Sequence, residues 1–157
     1  MSSFVAKSCI RQTAGRRSAE RTKTVFMFTI AVFDQLRVSR ERTPAAPATY
    51  AVEVRISASA VGPKQVVMEV GDLRAIVRRV LGLLMDRGPD RYRSRPGEAP
   101  SRERIAEELA ALVAEQIAVL PPDAAPPPPA MLRVRLGEAP ESWTSFDRPL
   151  LPTPAIR

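Results

Sequence analysis

Apolar and polar residues follow one another along the chain in patterns that predict four strands. Residues 25–33 form a continuous apolar run rich in β-formers, typical of a strand buried on both faces, and residues 34–36 are predicted to end it. Residues 50–57 and 131–136 alternate with the period of two of a half-buried strand. Residues 143–146 also have strand character. The middle of the chain therefore separates two pairs of predicted strands.

Two helices are predicted between these pairs because apolar residues recur there at spacings of three and four. The first follows Asp72, which favours the helix start, and ends at Gly88-Pro89. The second begins with Ser101 as its N-cap and Glu103 near the positive end of the helix dipole. The apolar stripes that would pack on a sheet are Leu73, Ile76, Val77, Val80, Leu81 and Leu84 in the first helix, and Ile105, Leu109, Leu112, Val113 and Ile117 in the second.

The order strand, strand, helix, helix, strand, strand predicts an α+β fold, in which helices cover one face of an antiparallel sheet. The uncovered face and the two sheet edges then predict oligomerisation that closes the sheets. Residues 25–150 are predicted to form a single domain, residues 1–24 a disordered basic extension and residues 151–157 a tail. Within the domain, residues 62–70 are predicted to turn and return the chain to the first helix, and residues 121–130 to form a stiff extended connector.

The composition narrows the classes of function. The net charge is +7, but residues 1–24 contain six basic residues and one acidic residue, which leaves only +2 for the remainder. This distribution and the scarcity of aromatic residues argue against nucleic acid as a partner. Cys9 is the only cysteine and histidine is absent, which excludes an intramolecular disulfide and a Cys-rich metal site. Because no apolar run approaches the ~20 residues of a membrane span and no secretory signal is evident, we expect a cytoplasmic protein without a membrane partner.

Five segments carry motifs in the order and spacing of a known family. The strand ending in Asp34-Gln35-Leu36 resembles one that ends in Ala-Ala-His-x-Leu, and residues 49–54 resemble the strand that follows His-Gly-His-Asn. Residues 66–74 resemble Met-Val-x-Asp-Phe-x-Asp-Leu-Lys, and residues 100–103 resemble Pro-Thr-x-Glu. Residues 134–138, with Trp143 and Phe146 after them, resemble a last motif in which a Glu anchors a pterin. Together these segments resemble the family of 6-pyruvoyl-tetrahydropterin synthase and 6-carboxy-tetrahydropterin synthase.

The resemblance implies the tunnelling fold (T-fold), a four-stranded antiparallel sheet with two helices on its outer face. Such subunits trimerise into a closed barrel, two trimers stack as a hexamer, and the active sites lie between subunits. The family binds zinc with three histidines, but the corresponding positions here hold Asp34, Ala46 and Ala48. The family's catalytic Cys falls near Arg42, and its Asp-His pair falls near Asp86-Arg87. We therefore expect a scaffold without cofactors, in which zinc is absent.

Three carboxylates and two further residues are the candidate site. Glu138, at the position of the pterin anchor, is either a solvated turn carboxylate or the acceptor of the paired N–H donors of a pterin-like ring. Asp34 is either a strand-end residue in solvent or a general acid or base with a raised pKa. Asp86 is either an exposed charge at the helix end or a third catalytic carboxylate. Arg42 is expected to neutralise an acidic ligand, and Trp143 to wall the pocket or the subunit contact.

Two hypotheses for the function remain open. The first is a repurposed enzyme of the lyase or cyclase type, which performs metal-independent acid–base chemistry on a cyclic metabolite bound between subunits. Acid–base groups alone contribute about 100- to 10,000-fold, which suffices for the cyclisation, elimination or isomerisation of an activated substrate. The second is a non-catalytic binder of a pterin-like or purine-like ligand, or a structural partner of an active homologue. We expect a homo-oligomer, either a trimer or a hexamer, and for a structural partner a mixed assembly with the homologue.

Overall fold

The computed structural model describes residues 27–38, 48–93, 95, 98, 100–139 and 142–150. In chain order, its elements are β1 (Phe28–Val38), β2 (Ala48–Ala58), α1 (Val70–Arg87), a 3-10 turn (Pro89–Tyr92), α2 (Arg102–Ala118), β3 (Ala130–Ala139) and β4 (Ser142–Leu150).

The four strands form one antiparallel sheet in the order β1-β2-β3-β4. Helix α1 lies against β1, α2 lies against β3 and β4, and the two helices contact each other. The predicted α+β class and the order of the elements are confirmed. Within the described residues, neither helix combines the length and the apolar composition that a membrane span requires.

The face of the sheet under the helices, the helix-covered face, carries the core. Its side chains come from alternate positions of the strands, as the period of two requires. They form one buried cluster with the helix stripes, and of the predicted stripe residues only Leu112 is partly buried rather than buried. The strand residues of this cluster are Ile30, Val32, Leu36, Val38, Tyr50, Val52, Val54, Ile56, Ala58, Ala130, Leu132, Val134 and Leu136.

The opposite face, the helix-free face, is charged at its centre and also exposes the apolar side chains of Phe33 and Met131. Its central positions are Glu53 and Arg55 of β2, with Arg135 and Arg133 of β3 directly opposite them. Glu53 is 2% exposed and is the buried charged side chain among the described residues. The sequence pattern of β2 predicted that only one face of this strand is buried. On the other face Glu53 is buried as well, and it forms ion pairs with Arg55 and Arg135.

Several predicted boundaries are wrong, and sheet pairing explains the largest error. Strand β1 continues through Asp34 to Val38, because residues 34–38 pair with residues 48–52 of β2. An acidic residue therefore lies within the strand rather than ending it. Strand β4 likewise continues past Arg148 to Leu150, which pairs with Ala130.

The loops agree with the sequence prediction only in part. Residues 59–69 contain bends and the predicted turn, in which the Gly62 N–H donates to Val66 O at 2.8 Å. Helix α1 begins at Val70 rather than Asp72, and residues 121–125 form a turn rather than an extended connector. The predicted helix stop at Gly88 is confirmed, because that glycine adopts a positive φ of 76°.

Candidate functional site

One end of the sheet carries two of the predicted site residues, Glu138 and Trp143. The register places Val38 opposite Ala48, Ala51 opposite Gly137 and Ala139 opposite Ser142. The last residues of β1 and β3 and the first residues of β2 and β4 therefore lie at the same end, which we call the bulge end.

Glu138 lies in a β-bulge at this end. Gly137 pairs with Trp143 and Ala139 pairs with Ser142, so β3 contains one more residue than β4 between these pairs. Glu138 is that extra residue, and it is exposed. Bulges redirect side chains at the rims of sheets and are frequent next to active sites. The local geometry therefore presents this carboxylate to solvent at the edge of the site.

The start of α2 is attached to the same end. Ser101 caps the helix, as predicted, by accepting a hydrogen bond from the Arg104 N–H at 3.3 Å. The Arg102 guanidinium donates to the hydroxyl of Ser142 at 2.7 Å, which fixes the helix start against the first residue of β4. The predicted N-cap is confirmed. The position of the helix start at the bulge end was not predicted from the sequence and follows from the contact between Arg102 and Ser142.

Glu103 is a site residue that the sequence prediction did not include. Its carboxylate accepts hydrogen bonds from the hydroxyls of Ser101 at 3.0 Å and Thr144 at 3.3 Å. Its own backbone N–H at the helix start, and then the Ser101 hydroxyl, lower the pKa of Glu103 below its ordinary value. The signal that could have identified it is the Pro-Ser-x-Glu motif of residues 100–103, which marks the helix start and resembles the family's Pro-Thr-x-Glu.

Trp143 lies on the helix-free face of the bulge end. A methyl group at Gly137 would approach the Trp143 ring to 2.8–2.9 Å, so only glycine leaves room for the ring at this position. The Arg135 guanidinium lies 4.7 Å from the ring centroid, a cation–π distance. Trp143 therefore packs against Gly137 and Arg135, next to the bulge that contains Glu138.

Asp34 lies within β1 rather than at its end. One of its oxygens accepts a hydrogen bond from the Gln35 N–H at 2.8 Å, and the other lies 3.8 Å from Nε of Arg78. The side chain is 31% exposed. Both carboxylate oxygens thus already have a neighbour within the chain.

Asp86 is exposed on the last turn of α1, and its neighbour Arg87 instead makes the specific contact. The Arg87 guanidinium donates to Glu108 of α2, and Arg91 lies 3.4 Å from the same oxygen. Arg42 and Ala46 lie outside the described residues.

Two of the predicted catalytic carboxylates, Asp34 and Glu138, are not direct neighbours within one subunit. Asp34 pairs with Val52, which pairs with Leu136, so Asp34 and Leu136 are two strand spacings apart. With strands ~4.8 Å apart and Glu138 two residues further along β3, the Cα atoms of Asp34 and Glu138 are separated by about 12 Å. Asp34 and Glu138 cannot share a proton at that distance.

A cavity of about 190 Å³ lies beside the end of β1. Its lining is mainly apolar and comprises Leu36, Arg37, Val38, Leu84, Met85, Tyr92 and Ile105. Burial, and then the negative charge of Glu108, raise the pKa of Tyr92 to about 12. The Tyr92 hydroxyl is itself buried, and no described residue, Glu108 included, lies in hydrogen-bond geometry with it. The phenol is therefore protonated near neutral pH, and no carboxylate among the described residues lines the cavity.

The residues present do not fit the zinc ion that the resemblance implies. Structural and catalytic zinc sites use imidazole, thiolate or several converging carboxylates. The chain has no histidine, and alanines at positions 46 and 48 have no ligand atom. Asp34, the remaining member of the set, is engaged by Gln35 and Arg78. Within the described ranges, no three acidic or cysteine side chains cluster as metal ligands would.

Comparison with known proteins supports the fold. A family model described as 6-pyruvoyl tetrahydropterin synthase matches residues 46–149. A 6-pyruvoyltetrahydropterin synthase structure from Plasmodium vivax, a variant at a catalytic residue, is 13% identical with a TM-score of 0.55, and the match covers 78% of this chain and 98% of that chain. A second structure of the Plasmodium vivax enzyme is 12% identical with a TM-score of 0.54 and the same coverage. No curated protein matches. The predicted tunnelling fold is thereby confirmed.

Proposed function

Because the chain belongs to the 6-pyruvoyl tetrahydropterin synthase family, we propose that it is a zinc-independent member that binds a cyclic small molecule between subunits. The observation that carries this proposal is the exposed Glu138 in the β-bulge, beside the fixed ring of Trp143. Family membership supports the ligand class. The lack of histidine in the sequence, and of a converging carboxylate set among the residues that the structure describes, supports independence from zinc.

Glu138 would orient the ligand. An ionised carboxylate has two oxygens and accepts two parallel N–H···O bonds, so a ring with two adjacent N–H donors is held in one plane and one direction. A pterin or a guanine offers such a pair. Trp143 is prevented from moving by Gly137 and Arg135, so its edge limits where a ring bound to Glu138 can lie.

The test is a titration of the purified protein with pterin, followed by fluorescence, after dialysis against a chelator. Glu138→Gln keeps the size of the side chain but supplies only one acceptor oxygen, so we expect pterin affinity to fall about 10- to 100-fold. Glu115→Gln, at an exposed carboxylate on α2 with the same change of charge, should leave the affinity unchanged. Equal losses in both variants would contradict the role of Glu138.

Independence from zinc has its own measurement. We expect metal analysis to find no stoichiometric zinc and the chelated protein to bind pterin as the untreated protein does. Stoichiometric zinc together with conversion of dihydroneopterin triphosphate would refute the proposal. Light scattering of the same samples gives the oligomeric state, for which we expect a trimer or a hexamer.

Metal-independent acid–base catalysis is the enzymatic form of this proposal. In this form Glu138 holds the ring, and Asp34 or Asp86, of the same or a neighbouring subunit, transfers the proton. Asp34→Asn and Asp86→Asn would then abolish turnover of a retained metabolite while leaving its binding intact. Binding that depends on Glu138, without turnover of any compound that copurifies with the oligomer, would favour the non-catalytic binder.

A further inference from the structure

The last residues of β3 are held by one neighbouring strand rather than two. The pairing of β2 with β3 ends at Gly137, which lies opposite Ala51. Beyond Gly137, Ala139 pairs with Ser142 of β4, and Glu138 is the extra residue between these pairs. Within the described sheet, the bulge that carries Glu138 is therefore closed at its outer end by a single pair. The position of Glu138 depends on how firmly Ser142 is held.

Helix α2 holds β4 at this point. The Arg102 guanidinium donates to the Ser142 hydroxyl at 2.7 Å, and the same nitrogen lies 3.4 Å from the Ser142 carbonyl oxygen. Two residues further along β4, the Thr144 hydroxyl donates to the Glu103 carboxylate at 3.3 Å. Ser142 and Thr144 share the face of β4 that contacts α2, because they alternate with Trp143. The first turn of α2 thus contacts the residues on either side of Trp143.

The contact made by Arg102 is the one that reaches the pair closing the bulge. Ser142 is the first residue of β4, at the end of an outer strand of the described sheet. Pairs at strand ends open more readily than pairs in the middle of a sheet. The hydrogen bond from Arg102 is charge-assisted, and such bonds are about twice as strong as neutral ones. It therefore opposes the opening of the pair between Ala139 and Ser142.

We propose that Arg102 is a positioning residue for the ligand site at Glu138. By holding Ser142, Arg102 keeps the bulge closed and the Glu138 carboxylate in one orientation, and it does so without touching the ligand. Two parallel N–H···O bonds require a fixed carboxylate plane, so a mobile bulge weakens binding even though Glu138 is intact. This inference rests on the proposed function, because it concerns the same carboxylate.

Pterin titration of the full chain tests this role with matched variants. We expect Arg102→Ala to bind pterin about three- to tenfold more weakly, because one charge-assisted hydrogen bond at the protein surface is lost. Arg104→Ala makes the same change of charge at an exposed position of α2 and should alter the affinity less than about twofold. Arg102→Lys keeps a charged donor and should recover part of the affinity. Equal losses in Arg102→Ala and Arg104→Ala would overturn the proposal.

Ser142→Ala distinguishes action through β4 from a direct contact with the ligand. This variant should weaken pterin binding about as much as Arg102→Ala does, because it removes the hydroxyl that accepts the 2.7 Å hydrogen bond. The double variant should then bind no more weakly than either single variant. If Arg102→Ala weakens binding by the same factor in the Ser142→Ala chain as in the native chain, Arg102 does not act through Ser142 and the proposal fails.

Trp143 reports on the bulge in the absence of any ligand. It is the chain's single tryptophan, and its ring packs against Gly137 across the bulge. We expect the fluorescence anisotropy of Trp143 to be lower in Arg102→Ala than in the native chain, closer to native in Arg102→Lys and unchanged in Arg104→Ala. Circular dichroism establishes that each variant is folded.

The two measurements separate this inference from the proposed function. Native anisotropy and native pterin affinity in Arg102→Ala would overturn the role of Arg102, even if Glu138→Gln impairs binding as expected. Failure of the native chain to bind pterin would instead refute the proposed function, and the effect of Arg102 on ligand affinity with it.

Discussion

The two faces of the sheet bury side chains by different means. On the helix-covered face, apolar residues such as Val54 and Leu132 are fully buried under α1 and α2. On the helix-free face, the neighbouring position Glu53 is just as buried, but its cover consists of the arginines that bind it. One face is therefore held by removal of apolar area from water and the other by directed charge pairs.

The difference explains why one face tolerates the absence of helices. An apolar surface of this size would aggregate or require a partner, whereas the charged groups at the centre of the helix-free face are paired within one subunit. Substitutions at matched positions of the two faces measure how much each face contributes to the free energy of unfolding.

The largest effect is expected at the helix-covered face. Leu132→Ala removes a fully buried side chain and leaves a cavity, so we expect a loss of about 3 kcal/mol in the free energy of unfolding. Met131, the preceding residue, points to the other face and is 40% exposed, so Met131→Ala should cost less than about 1 kcal/mol. Urea denaturation of both variants checks this, and similar losses would mean that the faces do not differ as described.

The next effect concerns the helix-free face at the bulge end. Gly137→Ala places a methyl group within 2.8 Å of the Trp143 ring, and we expect a loss of about 2 kcal/mol from the displacement of the ring. Adding Trp143→Ala should recover part of that loss, because the clash is then gone. A double-mutant cycle in urea measures this coupling, and strictly additive losses would show that the ring does not lie over Gly137.

A smaller loss of stability is expected on removal of Glu53, the buried carboxylate at the centre of the helix-free face. Glu53→Ala leaves two guanidinium groups without their shared partner, but both arginines are about one-third exposed and can reach water. We therefore expect a loss of about 1–2 kcal/mol, below the range for a fully buried pair. The thermal midpoints of Glu53→Ala and Leu132→Ala compare the two losses of stability. A larger loss for Glu53→Ala would mean that the helix-free face contributes more to stability than the helix-covered face.

The smallest effect is a dependence on pH. Hydrogen bonds from Arg133 hold the pKa of Asp147 below its ordinary value. Because the folded-state pKa is the lower one, the stabilisation is present above the ordinary carboxyl pKa of about 4 and is lost as the pH falls through the folded-state pKa. Asp147 is 43% exposed, so the contribution should be below about 1 kcal/mol. Asp147→Asn should be less stable than the native chain at pH 6 and differ less at low pH. A difference that is equal at both pH values would contradict this assignment.

Much of the secondary structure was predictable because it depends on local patterns. The helix stripes from Leu73 to Leu84 and from Ile105 to Ile117 correctly identified the buried faces, and Ser101 and Gly88 correctly marked helix ends. The period of two in β2 correctly assigned Tyr50 and Val54 to the core. These features follow from the geometry of a single element and from capping chemistry.

The errors arose where pairing with a distant strand outweighed local preference. Aspartate is disfavoured in strands. Strand β1 nevertheless continues through Asp34, because residues 34–38 pair with residues 48–52 of β2. The bulge at Glu138 depends in the same way on the register between β3 and β4. Neither the extra residue nor the contact of Thr144 with Glu103 leaves a signal in the nearby sequence.

The chain itself thus determined the class of fold, the core positions and the absence of zinc-binding histidines, because periodicity and residue type suffice for these. Only the tertiary structure decided which charges meet. Glu53 and Arg135 are 82 residues apart in the chain and become partners through the register of β2 with β3. The same register separates Asp34 from Glu138, and the register of β3 with β4 places Trp143 against Gly137 and Arg135. No local pattern encodes a distance between strands.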